Sequence, residues 1–315
     1  DWGIRVPFDE RFTIYVWFDA LLNYITGIGY GWDEERFREW WPADIHFIGK
    51  DITRFHCALW PAMLLAAGLP LPRRVFAHGW VYIKNEQTGA VEKISKSLGN
   101  VVEPMEIITK FSSEAFRYYF MRECPFPGDG EFSWSRFAEV YNADLANNLG
   151  NLYSRVITLI LRHFEGHLAG SRAWEPGEIY EEQDLEATVQ QVQGYIENCE
   201  YQLALQRIWQ YILDPANRYA DRKEPWKLVK QDLEAAARVL FDLVESLRVT
   251  AILLKPFLPR TAERIYRSFN FSRDWQQVRC EDCYVYPRPV DDLRCLVRPG
   301  PDGKLAPLFP RIEIR

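Results

Sequence analysis

Two lysines three residues apart, Lys93 and Lys96, lie in the segment EKISKSLGN at residues 92–100. The segment is rich in serine, glycine and asparagine, which is typical of a loop rather than a regular helix. Lysine and serine side chains on such a loop are suited to an anionic ligand, because each charge-assisted hydrogen bond from a lysine to a phosphate oxygen contributes about 1.5–3 kcal/mol. A bare pair of lysines at this spacing is more often a solvated basic loop, so the surrounding sequence has to decide between the two interpretations.

The elements around this loop must hold it in place. Three segments rich in β-branched and aromatic residues predict strands, at residues 13–18, 44–49 and 74–83. Residues 53–68 have a helical pattern, and a strand, a helix and a strand in succession predict a parallel sheet. Such sheets bind ligands at the carboxyl ends of their strands. The segment NEQTGA at 85–90 predicts a hairpin turn that presents the lysine loop at the rim of the sheet.

The pattern changes after a cluster of proline and glycine at residues 125–134. Helical periodicity then dominates, and helices are predicted at residues 136–164, 184–198, 200–222 and 231–256. These segments predict a helix bundle. The predicted domains are an α/β domain at 1–134, a helical domain at 135–270 and a tail at 271–315 that packs back on the body.

Composition excludes several classes of protein. A net charge of −6 argues against a surface coated in basic residues, so a polynucleotide partner must be met by local patches. Neither a long apolar run nor a basic-then-apolar leader is present, which predicts a cytosolic protein without a membrane span. The six cysteines do not predict a disulfide framework, and CEDC at 280–283 has no further ligands to complete a zinc site. No metal site is therefore predicted.

The segment KISKS resembles the KMSKS signature of class I aminoacyl-tRNA synthetases, with Ile94 in place of the more common methionine. Other segments resemble the methionyl-tRNA synthetase family in particular: YVWFDALLNYITG at 15–27, HFIGKDITRFHCALWPAML at 46–64, HGWVYI at 78–83 and LFPRIE at 308–313. The likeness runs over nearly the whole chain. It implies the second half of a Rossmann-like α/β catalytic domain, followed by an all-α anticodon-binding helix bundle. The implied reaction uses ATP with Mg²⁺ to activate methionine as its adenylate and then charges tRNA(Met).

The resemblance also implies roles for individual residues. In the lysine loop, Lys96 would steady the triphosphate with the help of Lys93, and Ser95 and Ser97 would join the ATP site. The remaining residues implied at the adenylate are Gly49, Asp51, His78 and Gly79. The residues implied in the methionine pocket are Trp17, Ala20, Tyr24, Asp51 and His56. From the residues alone, Trp17 and His56 would be interpreted as core packing.

The helical region carries a candidate RNA-binding face. An apolar stripe is formed at spacings of four and three residues by Leu145, Leu149, Leu152, Val156 and Leu159. Asn147, Asn151 and Arg155 recur every four residues on another face, where their directed donors and acceptors could read unstacked bases. A solvated helix face is the alternative. The resemblance of NNLGNLYSR to the family's anticodon-reading helix, and of EPW at 224–226 to its stacking tryptophan, implies that Asn147, Asn151, Arg155 and Trp226 bind the anticodon.

One signature of class I synthetases is missing from the sequence. The motif HIGH is not found, since HFIG at 46–49 belongs to the GKD segment, and the inserted region where the family carries zinc is not found either. The chain is therefore predicted to be a carboxyl-terminal part, either an excerpt or a split subunit. It would need the amino-terminal half of the catalytic domain as its partner, and it is expected to be inactive alone.

Two other functions remain open. A non-catalytic tRNA-binding module would keep the anticodon residues but would have no use for intact KISKS and GKD segments. A class I synthetase for a neighbouring aliphatic amino acid, such as leucine or valine, would share the lysine loop. Changing Tyr24 or His56 would alter methionine recognition only in a methionyl enzyme.

Overall fold

The computed structural model describes residues 3–94, 101–169, 179, 182–284 and 292–313. Its residues form two compact units. Unit 1 comprises residues 1–80 with 127–129, and unit 2 comprises residues 81–126 with 130–315. The domain limits given by the sequence pattern stay a prediction.

Unit 1 contains two small sheets and three α-helices. Its strands are β1 (Arg5–Val6), β2 (Asp9–Thr13), β3 (His46–Gly49) and β4 (Val75–His78), and its helices are α1 (Val16–Thr26), α2 (Glu34–Trp40) and α3 (Trp60–Ala66). A 3₁₀ turn (Lys50–Ile52) and a π-helical turn (Phe55–Leu59) connect β3 to α3. β1 and β2 are antiparallel, whereas β3 and β4 are parallel. The predicted helix is confirmed, as is the parallel pairing of the strands on either side of it. The single strand predicted at 74–83 is wrong: it is interrupted at Gly79 and Trp80, and Val81–Lys84 forms a separate strand in another sheet.

The predicted strand at residues 13–18 is wrong. β2 ends at Thr13 and α1 begins at Val16. Leu21 and Ile25, four residues apart on one face of α1, are buried in the cluster that contains Trp60. The helical spacing of these later residues overrides the strand propensity of the aromatic and β-branched residues before them.

The lysine loop follows a three-stranded sheet in unit 2. Its strands are β5 (Val81–Lys84), β6 (Val91–Lys93) and β7 (Gly130–Phe132). β5 lies in the centre, antiparallel to β6 and parallel to β7. The turn between β5 and β6 is fastened by the Asn85 side chain, whose oxygen accepts hydrogen bonds from the backbone N–H groups of Gln87 and Thr88. The predicted hairpin is confirmed.

Helices make up most of the rest of unit 2. They are α4 (Pro104–Lys110), α5 (Ser113–Glu123), α6 (Trp134–Val140), α7 (Asn151–His163), α8 (Glu182–Glu197), α9 (Tyr201–Ile208), α10 (Asp214–Lys223), α11 (Pro225–Leu228), α12 (Leu233–Leu254) and α13 (Pro259–Tyr266). A π-helical segment (Tyr141–Gly150) joins α6 to α7, and another (Trp209–Leu213) joins α9 to α10. All four predicted helical stretches are confirmed. α12 is buried over most of its length. Within the described ranges, no helix is long and apolar enough to cross a membrane.

The last part of the chain packs against the helices. β8 (His167–Ala169) pairs with β9 (Asp292–Arg294) in an antiparallel ladder. Near the end, the ring of Phe309 meets that of Tyr141 edge to face at 5.8 Å. Asn142 exchanges two hydrogen bonds with the backbone of Ile312, at 2.8 and 3.0 Å. Residues 309 and 312 thus contact the helical segment at 141–142.

Helix α5 holds the turn between α12 and α13 with two side chains. The Glu114 carboxylate is buried and accepts hydrogen bonds from the backbone N–H of Arg260 at 2.6 Å and from the Thr261 hydroxyl at 2.7 Å. These groups lie at the amino end of α13, where backbone N–H groups have no partner within the helix. One turn later, Arg117 donates to the carbonyl oxygen of Pro256 at 2.8 Å, near the carboxyl end of α12.

Replacing Glu114 by glutamine is expected to lower the free energy of unfolding by about 2 kcal/mol, because an amide nitrogen would face buried donors. Urea-induced unfolding followed by circular dichroism measures this change. The control is Glu106→Gln, which removes an exposed ion pair with Lys110; its effect should stay below about 0.5 kcal/mol. Equal effects of the two substitutions would contradict the role given to Glu114.

Candidate functional site

A buried histidine and a tyrosine form the centre of the predicted methionine pocket in unit 1. His56 is only 1% exposed, and its Nδ1 lies 3.1 Å from the carbonyl oxygen of Ile52. A carbonyl oxygen only accepts, so Nδ1 carries a proton; in the tautomer with its single proton on Nδ1, Nε2 accepts from the Tyr24 hydroxyl at 2.9 Å. Burial raises the pKa of Tyr24, which keeps this hydroxyl protonated.

Aromatic rings surround this pair. Trp17 stacks on Phe55 with ring centroids 4.3 Å apart and meets His56 edge to face at 5.9 Å. Trp17, Ala20 and Tyr24 lie three and four residues apart on α1, which places them on one face of the helix. Ala20 is exposed there. The structure thus brings Trp17, Tyr24 and His56 into direct contact.

Three further aromatic residues of the pocket were not singled out from the sequence. Phe55 lies under Trp17, as described above. His46 packs against Tyr24 with ring centroids 4.4 Å apart, and its Nε2 accepts from the indole N–H of the fully buried Trp60 at 3.3 Å. Burial, with the neighbouring His56 adding to it, lowers the pKa of His46, which favours the neutral ring that this hydrogen bond requires. All three residues lie within the segment at 46–64 that carries the family resemblance. This resemblance is the sequence feature from which they could have been identified as pocket residues.

The predicted adenylate residues lie at the ends of two neighbouring strands. In the parallel register of β3 and β4, Gly49 stands opposite His78. Asp51 follows Gly49 in the 3₁₀ turn, and a Cβ atom on Gly49 would lie 2.6 Å from its Oδ1. After β4, Gly79 allows close approach of another backbone, because a Cβ atom there would lie 2.0 Å from the carbonyl oxygen of Gly128. These four residues therefore share the carboxyl edge of the sheet, where parallel sheets bind ligands.

Only the beginning of the lysine loop is described. Lys93 is the last residue of β6 and stands opposite Tyr82 of β5. Ser95, Lys96 and Ser97 lie outside the described residues. The side chain of Lys93 is exposed at the rim of its sheet, as the sequence predicts.

The predicted anticodon face is an exposed side of α7 in unit 2. The apolar stripe packs inward, with Leu145, Leu149, Leu152 and Val156 each at most 1% exposed and Leu159 partly buried. Asn151 and Arg155 are exposed one turn apart. Asn147 is half-buried, and its side-chain oxygen accepts from Arg311 Nε at 2.8 Å.

Arg155 and Trp226 are brought together although they are distant in sequence. The guanidinium carbon of Arg155 lies 5.0 Å from the centre of the Trp226 ring, a favourable cation–π geometry. Both terminal nitrogens of Arg155 also donate to Asp221 Oδ1, at 3.2 and 3.0 Å. Pro225 begins α11 and holds Trp226 at the start of the helix. Asp221 was missed, because nothing local in the sequence links it to Arg155.

The CEDC segment is held by hydrogen bonds from a buried arginine. Arg248 pairs with Glu245 and donates to the carbonyl oxygens of Asp282 at 2.7 Å and Cys283 at 3.3 Å. Burial raises the pKa values of both Cys280 and Cys283, which keeps the thiols protonated. Burial and these hydrogen bonds account for the position of the CEDC segment. Among the residues that the structure describes, no group of three or more His, Cys, Asp or Glu side chains is placed to hold a metal ion.

Two family models match the sequence. Residues 1–157 match tRNA synthetases class I (M), and residues 170–284 match the anticodon binding domain of methionyl tRNA ligase. The two matches correspond to an α/β catalytic domain followed by an anticodon-binding domain, which confirms the predicted fold class.

Individual proteins agree with these matches. A methionine–tRNA ligase of Caldanaerobacter subterraneus subsp. tengcongensis is 42% identical over 89% of this chain and 44% of its own length. That of Bacillus subtilis is 38% identical over 99% of this chain and 45% of its own length. The chain thus spans less than half the length of these relatives. The crystal structure of Mycobacterium tuberculosis methionyl-tRNA synthetase bound by methionyl-adenylate is similar, with a TM-score of 0.80 and 34% identity, over 98% of this chain and 58% of that one. The chain therefore belongs to the methionyl-tRNA synthetase family of class I tRNA synthetases.

Proposed function

We propose that this chain is the carboxyl-terminal part of a methionine–tRNA ligase, which activates methionine with ATP and transfers it to tRNA(Met). The observation that carries this proposal is the Tyr24–His56 pair beside Trp17, in the same unit as the strand ends that carry Gly49 and Asp51. A pocket for the side chain and a polar strand edge together fit amino-acid activation better than RNA binding alone.

The pocket suits methionine on chemical grounds. The thioether sulfur is weakly polar and polarisable, and it makes favourable contacts with aromatic rings such as Trp17. The Tyr24 hydroxyl, oriented by His56, supplies one polar contact. A difference of one methylene between two substrates changes the binding free energy by only about 1–3 kcal/mol. The shape of the pocket and this polar contact must therefore both contribute to the selection of methionine over leucine and valine. The exposed Asp51 carboxylate is suited to the ammonium group of the amino acid.

ATP, with its Mg²⁺, would be bound at the strand ends and by the lysine loop. His78 and Gly79 would lie near the adenine, and Gly49 near the ribose. As the methionine carboxylate attacks the α-phosphorus and pyrophosphate leaves, Lys96 and Lys93 would stabilise the charge that develops on the phosphates, with Ser95 and Ser97 alongside.

The anticodon would be bound by α7 and α11. Trp226 offers an aromatic surface on which an unstacked base can lie, and the Arg155 guanidinium extends that surface. Asn151 supplies donors and acceptors one turn from Arg155. Asn147 would contribute at the edge of this face, where Arg311 already contacts it. Because such charging supplies translation, we place the protein in the cytosol.

The remainder of the catalytic fold is proposed as a further partner. Phe47 on β3 is 51% exposed, and Phe8 and Phe12 of the first hairpin are 92% and 60% exposed. Where such side chains form a contiguous patch, they mark a surface that other protein segments cover. We propose that the amino-terminal half of the family's catalytic domain covers them and completes the ATP site, so that the described chain alone does not form the adenylate.

Methionine-dependent exchange of pyrophosphate into ATP tests this function, on the chain alone and after addition of an amino-terminal half from a related synthetase. Exchange in the mixture supports the proposal, and exchange by the chain alone would reject only the need for a partner. Leucine and valine in place of methionine test the other synthetases. No exchange in either preparation, with binding of tRNA(Met) retained, would instead identify a tRNA-binding module.

Replacing Tyr24 by phenylalanine is expected to raise the KM for methionine about tenfold, because His56 loses the donor that its buried Nε2 requires. The KM for ATP should not change. Pyrophosphate exchange at varied methionine concentration measures the effect. Tyr30→Phe is the control in the same unit, since the Tyr30 ring packs against Phe37. A methionine KM within twofold of the unsubstituted enzyme would count against the proposed pocket.

A further inference from the structure

The geometry points to Asp129 as a positioning residue for the adenylate site, an inference that rests on the proposed function. Its carboxylate accepts two contacts from Lys50 Nζ, at 2.6 and 2.7 Å, and a hydrogen bond from the backbone N–H of Trp80 at 2.8 Å. Lys50 stands between Gly49 and Asp51. A single carboxylate thus connects the turn after β3 to the turn after β4.

Both connected turns carry the proposed adenylate residues. Trp80 directly follows His78 and Gly79, for which contacts to adenine are proposed. Within this turn, His78 Nδ1 donates to the carbonyl oxygen of Gly79 at 2.8 Å. Holding the Trp80 backbone therefore also holds His78 and Gly79 in place relative to the end of β3.

Steric contact supports the same arrangement. A Cβ atom on Gly79 would lie 2.0 Å from the carbonyl oxygen of Gly128 and 2.6 Å from Asp129 Oδ1. The segment at 127–129 therefore lies directly against the backbone of the second turn. Lys50 Nζ also lies 5.2 Å from the centre of the Trp80 ring, so Lys50 contacts both Asp129 and Trp80.

The charges favour positioning over stabilisation of the fold. Hydrogen bonds from Lys50 and from the Trp80 backbone lower the pKa of Asp129, so the carboxylate is ionised at neutral pH. The side chains of Lys50 and Asp129 are 44% and 35% exposed. Ion pairs exposed to this degree contribute little to folding, because water screens them. Three contacts from two donor groups, Lys50 Nζ and the Trp80 N–H, nevertheless restrict where the two turns can lie.

Two substitutions separate the contacts of Asp129. Asp129→Asn keeps an oxygen for the Trp80 N–H but removes the charge that faces Lys50, whereas Asp129→Ala removes both. In whichever preparation catalyses exchange, we expect the KM for ATP to rise about tenfold for Asp129→Asn and further for Asp129→Ala, because small displacements of binding groups are costly. The KM for methionine should stay within about twofold, since Trp80 adjoins the adenine side.

Further variants make the experiment specific. Lys50→Met is made alone and together with Asp129→Asn. The double variant should be no worse than the more impaired single variant, because both substitutions remove the Lys50–Asp129 contact. Asp44→Asn is the matched control, since it breaks another exposed ion pair of unit 1, with Arg73, which lies before the amino ends of β3 and β4. It should leave both KM values unchanged.

Several results would overturn the inference. An unchanged KM for ATP in an active preparation, or additive effects in the double variant, would reject positioning by Asp129 and leave the proposed function intact. A drop in the melting temperature accompanied by equal changes in both KM values would show a structural role instead. Absence of exchange from both unsubstituted preparations would reject the proposed function, and the inference with it.

Discussion

Replacement of Trp226 by alanine is expected to slow the charging of tRNA(Met) about 10- to 100-fold, since stacking of a base on an aromatic side chain contributes about 1–3 kcal/mol. The loss also removes the ring over which Arg155 lies at 5.0 Å. Methionine-dependent pyrophosphate exchange should be unchanged, because Trp226 is not among the residues proposed to bind methionine or ATP. Aminoacylation and exchange are measured in parallel on the active preparation.

A second arginine–aromatic pair in unit 2 provides the control. The Arg207 guanidinium carbon lies 3.3 Å from the centre of the Tyr211 ring, and Tyr211 is 44% exposed. Tyr211→Ala therefore removes an exposed aromatic ring that, like Trp226, lies beside an arginine. Tyr211 is not part of the proposed anticodon face. Charging should be unaffected by this change. A similar loss in both assays for Trp226→Ala would show a general structural effect and would refute the anticodon role.

Replacement of Gly49 by alanine is expected to lower the rate of pyrophosphate exchange about 100-fold, because displacing a binding group by about 1 Å can cost this much. The new Cβ atom would lie 2.6 Å from Asp51 Oδ1, so the carboxylate proposed to bind the methionine ammonium must move. Gly49 has φ −72° and ψ 146°, a conformation that alanine adopts freely. The folded protein should therefore keep its melting temperature while it loses activity.

A helical glycine serves as the control for this substitution. Gly194 lies in α8, and a Cβ atom there would meet no atom within 4 Å. Gly194→Ala should leave exchange unchanged and raise stability slightly, because alanine is favoured over glycine within helices. Exchange by Gly49→Ala at a rate close to that of the unsubstituted protein would mean that Asp51 does not act from its present position.

The sequence predicted the fold well wherever periodicity extended over many residues. The helices from Trp134 to His163 and from Leu233 to Leu254 follow apolar spacing that can be recognised without a structure. The six residues at 13–18 were too few for this, and their composition alone indicated a strand where a helix begins. Short apolar segments are ambiguous because strands and buried helices use similar residues.

The sites show a different limit. The family resemblance led to Gly49 and His78, and the parallel pairing of β3 with β4 places them side by side. Asp221 and Asp129 could not be found in this way, because their partners lie 66 residues away at Arg155 and 79 residues away at Lys50. Asp129 stands in a proline- and glycine-rich segment whose composition indicates only a turn. Residues that orient others act through contacts that local sequence patterns do not reveal.

The π-helical segment at Tyr141–Gly150 gives this region freedom to vary in length. It leads directly into α7, whose inner face is packed and whose outer face carries Asn151 and Arg155. Since successive residues of an α-helix are about 100° apart around its axis, loss or gain of one residue here would turn α7 by that angle unless the wider turns absorb it. A wider helix can take up one residue more or less by local rewinding. The outer face of α7 could then keep its direction while the sequence before it changes in length.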